Sequence, residues 1–136
     1  MSMNSAPNGP ESVEVSKQEV IDAYKKFIDQ GITSPDDLDL EDPEVIEANN
    51  LYDRWVEQRQ RMSKGNKQAE HEFNFEQTAF YFDAGFRDPN YLNEVLSWLF
   101  LDSDDIGKDA NDPTITNLRG RYAKKMIEIR AVLKKD

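Results

Sequence analysis

Cysteine is absent from this chain of 136 residues, and histidine occurs once. The first absence excludes disulfides, thiolate zinc sites, iron–sulfur clusters and cysteine nucleophiles. The second leaves His71 isolated. "HEFNF" lacks the second histidine of a zinc-protease helix, and Gln68 stands where a Glu-x-x-His di-iron ligand pair needs glutamate. The six glycines are isolated, so there is no glycine-rich phosphate loop, and no G-x-S-x-G occurs. No apolar run reaches the roughly 18 residues that span a bilayer. "MSMNSAPNGPES" carries neither the basic start and apolar stretch of a secretory signal nor the arginines of a transit peptide. Together these absences predict a cytoplasmic protein with no membrane segment, and not an enzyme.

Basic residues are also scarce: 17 Lys and Arg face 27 acids, for a net charge of −10. Such a balance repels phosphate backbones and disfavours direct binding to nucleic acid. The bases concentrate at one end. Residues 119–136 hold seven of them against two acids, a balance of +5, which leaves −15 for residues 1–118. "NLRGRYAKK" at 117–125 is too weak a pattern to indicate RNA. The simpler expectation is that this basic segment packs against the acidic surface of its own chain.

Residues 1–14 are rich in Ser, Asn, Pro and Gly without periodicity, and are expected to be a disordered tail. A single helical domain is expected over 15–136. Ser16 and Glu19 form a capping box, with Val15 and Val20 as the hydrophobic staple. Val20, Ile21, Tyr24, Phe27 and Ile28 then recur on one helical face, and Gly31 with Ile32 supplies a Schellman ending. Ser34-Pro35, Asp42-Pro43, Asp88-Pro89 and Asp112-Pro113 each join an N-cap residue to a proline suited to the first helical position. Further helices are predicted from Pro43 to about Ser63, from about Asn66 to Ala84, from Pro89 to about Leu101, and over roughly Thr116–Lys134. No strand pattern is present. The fold class is all-α, a compact bundle of about five helices.

Within it, "YLNEVLSWLFL" at 91–101 is apolar nearly all round. A helix of this kind is either central or keeps a second face for a partner. Central burial is the expectation. Tyr91, Trp98 and Phe100 are the candidate anchors if a partner surface exists, because aromatic residues dominate binding hot spots.

Two acidic clusters stand out. In "SPDDLDLEDPE" at 34–44, Asp36, Asp37, Asp42 and Glu44 fall at helix starts, where backbone N–H groups favour anions. Asp39 and Glu41 are left over as a secondary acidic cluster. "DSDDIGKDAND" at 102–112 holds five aspartates just after a predicted helix end, where anions are disfavoured. Helix, acidic loop and helix is the EF-hand layout, and Asp102, Asp104 and Gly107 fit positions 1, 3 and 6. Ile106 and Pro113 at positions 5 and 12 do not, so an ordinary EF-hand is rejected. Asp102, Asp104, Asp105 and Asp109 remain as candidate ligands of a looser calcium site. The chain therefore reads first as a non-catalytic acidic helical protein of adaptor or inhibitor type, binding a protein partner with a basic surface. The alternative reading is calcium binding or buffering at 102–112.

Overall fold

The computed structural model describes residues 13–109 and 112–135. The expected tail falls, through residue 12, outside the described residues. Six α-helices and no strand occur among them: α1 (Lys17–Asp29), α2 (Pro43–Ser63), α3 (Lys67–Thr78), α4 (Phe80–Ala84), α5 (Pro89–Ile106) and α6 (Pro113–Lys135). The all-α bundle is as the sequence implies. The expected helix to Ala84 is interrupted for one residue at Ala79, which gives six helices in place of five.

The local signals explain where the helices start and stop. Ser16 accepts from the Glu19 N–H while Glu19 reaches back to the Ser16 N–H, completing the capping box. Gly31, at φ 96°, lets the Ile32 N–H reach the Phe27 carbonyl (3.1 Å) and its own N–H reach that of Ile28 (2.9 Å). These are the two bonds of a Schellman ending. Asp42, Asp88 and Asp112 each accept from a backbone N–H at the start of the helix that follows, with proline at its first position.

The doubly buried element is α3–α4, not α5. Phe73 and Phe80 are seven residues apart and so share one side of this segment; Phe75 and Phe82, also seven apart, share the other. The first pair packs with α1 and α2 in a cluster around Val20, Tyr24, Phe27, Trp55 and Phe86. The second packs with α5 and α6 around Leu92, Val95, Leu99, Tyr122 and Ile129. Tyr81, between Phe80 and Phe82, touches both clusters.

Being flanked on one side only, α5 buries Tyr91, Leu92, Val95, Leu99 and Ile106 and leaves other apolar groups in water. Trp98 is 45% exposed, Phe100 61% and Leu101 63%. The expectation of central burial for this helix is corrected accordingly. Met62 on α2 is also exposed.

Candidate functional site

Two loops set the stage. The Thr33 carbonyl accepts from the N–H groups of both Arg87 (3.0 Å) and Asp88 (2.9 Å), tying the 32–34 connection to the start of α5. Ser34 then caps the 3₁₀ turn Pro35–Asp37 by accepting from the Asp36 N–H. The first acidic cluster is thereby carried alongside α5, although about fifty residues separate them in sequence.

Between them lies an open groove of about 720 Å³. Its rings come from three helices: Tyr52 of α2, Tyr81 of α4, and Tyr91 and Trp98 of α5. They form a continuous row. Tyr52 and Tyr81 stack at 5.5 Å and 13°; Tyr81 meets Tyr91 edge-on at 6.3 Å; Tyr91 meets Trp98 edge-on at 6.3 Å. Leu38 and Leu40 add apolar surface, Asp36 and Asp53 add carboxylates, and Asn49, Asn74, Gln77 and Thr78 add polar side chains. Among the described residues, no Lys or Arg lines it. Burial pushes the phenols of Tyr52, Tyr81 and Tyr91 up from their ordinary value, so all three stay neutral at physiological pH. The groove's charge is therefore set by its carboxylates.

Asp102 borders this groove. Its carboxylate accepts from Asn74 Nδ2 (3.1 Å) and Thr78 Oγ1 (3.3 Å), both on α3 and both part of the groove lining. Burial raises its pKa above the ordinary carboxylate value, and the two hydrogen bonds act against that rise.

The segment from 102 onward is not the loop that its composition suggested. Residues 102–106 continue α5, and Gly107 has a right-handed helical backbone, φ −60°. The cause is spacing. Leu92, Val95, Leu99, Asp102 and Ile106 follow a three-then-four rhythm, so Ile106 returns to the core and the helix extends to bury it. Asp102 occupies the inward register between two apolar residues. Asp104 is exposed, and Asp105 pairs with Lys108 at 3.4 Å. The side chain of Asp109 lies outside the described residues. Among the described residues no three His, Asp or Glu side chains converge as a metal ion would require.

The secondary acidic cluster is locally occupied. Asp39 Oδ1 accepts from the Glu41 N–H (3.0 Å), and both side chains are exposed outside the groove lining. Of the candidate anchors, Tyr91 is buried and contributes part of the groove's surface, while Trp98 stands at its rim. Phe100 lies two positions beyond Trp98, about 200° around the helix, and is not part of the groove.

Tyr52, Tyr81, Asp53 and Gln77 were not legible as site residues. One signal was available: a single tyrosine within "AFYF" marks where a ring needs a wet edge for its hydroxyl. His71 is half-buried, with a buried Nε2 that has no hydrogen-bond partner among the described residues.

The expected packing of the basic end against the chain's own acidic surface is seen at one lysine. Lys125 of α6 binds Asp83 (2.7 Å), the Arg121 guanidinium lies 5.0 Å from the Phe75 ring centroid, and that of Arg119 lies against Gly107. No helix among the described residues is long and apolar enough to cross a membrane. No protein-family model matches the chain, nor does any curated protein or solved structure.

Proposed function

We propose that the protein is a non-catalytic binding protein, of adaptor or inhibitor type, that holds a basic segment of a partner protein in the groove between the 34–40 connection and α5. The observation that carries this reading is the lining itself: four aromatic rings with Asp36 and Asp53, and no Lys or Arg among the described residues that line it. Aromatic residues provide binding energy when a partner excludes water from them, and the surrounding negative field speeds encounter with a basic surface. The net charge of −10 extends that field beyond the groove.

An amide-resolved NMR titration with a short Lys- and Arg-containing peptide, at about 0.15 M salt so that diffuse attraction is screened, tests the reading. Saturable shifts on residues 36–40, 52–53, 77–81 and 91–98 are expected. Weak, unsaturable shifts spread over every acidic segment would overturn it. Calcium and magnesium form parallel arms of the same experiment. Saturable shifts confined to 102–109, with calcium strongly preferred, would put calcium binding first instead.

A further inference from the structure

We infer that the groove selects arginine over lysine in its partner, through a guanidinium laid against the aromatic row and paired to Asp36 or Asp53. This deepens the proposed function and rests on it.

The two cations ask for different surroundings. An ammonium is compact and strongly hydrated, and a single carboxylate in water satisfies it nearly as well as a groove does. A guanidinium is flat and weakly hydrated, and its donors are fixed in the plane. It gains most where a ring face covers one side while several acceptors lie around its edge.

The groove supplies both. Trp98 is held edge-on to Tyr91 (75° between rings) and is 45% exposed, which leaves indole surface open to the groove. Tyr52 and Tyr81 lie nearly parallel, within 13°, and continue the aromatic surface inward. The carboxylates stand beside this row. Asp36 is close enough to Tyr91 to act on its phenol electrostatically, and Asp53 acts likewise on Tyr52. Both carboxylates are exposed, and no ion pair to either is present among the described residues. Gln77 adds an amide to the same lining. Phe100 is exposed as well but is not part of this lining.

The test compares two peptides of equal length and charge at about 0.15 M salt, one carrying arginine and glycine, the other lysine and glycine. Calorimetry gives affinity, and fluorescence locates the site, because Trp55 is fully buried and Trp98 is not. The arginine peptide is expected to bind about tenfold more tightly and to change the Trp98 emission. Trp98→Ala should reduce the preference to about threefold or less. Asp36→Asn with Asp53→Asn, which leaves the aromatic row intact, should weaken both peptides. Equal affinity for the two peptides would overturn the arginine preference and leave the basic-segment reading standing. Saturable binding of neither peptide, or binding indifferent to all three substitutions, would overturn both.

Discussion

At the scale of single residues, Asp102 is a carboxyl whose proton affinity burial raises. It lies in an apolar seam, half-buried, and burial raises its pKa while Asn74 and Thr78 act in the opposite direction. A carboxyl with a raised folded pKa holds its proton more tightly when folded than when unfolded. Its contribution to stability is therefore full below the unfolded value and is lost as pH rises through the folded value. Asn74 and Thr78 donate to the same carboxylate oxygen, so Asp102→Asn keeps the shape and an acceptor for both donors, yet cannot ionise. The variant is thus expected to gain on the parent protein between about pH 3.5 and pH 7, read as the difference in urea midpoints at the two values. A constant difference across that range would mean that Asp102 titrates no differently in the folded and unfolded chains.

At the scale of elements, α6 contains a weakness that costs stability without evident purpose. Gly120 lies inside the helix and is exposed, and a Cβ added there meets nothing within 4 Å. Neither a close helix approach nor a helix start explains it, since α6 begins at Pro113. Gly120→Ala should stabilise the protein by about 0.5–1 kcal/mol, through the conformational freedom that glycine adds to the unfolded chain. The measurement is a rise in urea midpoint with an unchanged slope. The same scale explains the misplaced end of α5. Three acids within four residues argue for a stop, each by a few tenths of a kcal/mol. Burying Ile106 is worth more, about 1.5–3 kcal/mol for a side chain of this size. The larger quantity decides, and the helix runs on.

For the molecule as a whole, the question is what joins the α1–α2 side to the α5–α6 side across α3–α4. Aromatic packing through Tyr81 is one link. Another is Asp83, which binds Lys17 of α1 at 2.8 Å and Lys125 of α6 at 2.7 Å. All three side chains are less than a third exposed, so water cannot readily replace the pairing. Asp83→Ala leaves two lysines close together without their counter-charge and should cost about 1–3 kcal/mol. Lys26→Met breaks an exposed pair, Lys26–Glu44, and should leave the denaturation midpoint nearly unchanged. Chemical denaturation of the two variants side by side checks the contrast. Similar small losses would show Asp83 to be an ordinary surface pair and leave the joining of the halves to the aromatic packing of α3–α4 and the Thr33 hydrogen bonds.

The sequence by itself determined the helical class, most helix boundaries and the buried face of α1, because caps, prolines and apolar spacing act over a few residues. The capping box at Ser16, the Schellman ending at Gly31 and the proline starts at 43, 89 and 113 all lie within such a span. Trp98 and Phe100 were legible as candidate anchors on a helix expected to be central; that both are exposed, and that Trp98 meets a groove, was not. That depended on the Thr33 carbonyl reaching Arg87 and Asp88, and on the two phenylalanine stripes placing Tyr81 beside Tyr52 and Tyr91. Only the tertiary structure decided these matters. A side chain's neighbours across a bundle are set by how whole helices pack, and no short stretch of chain contains that information.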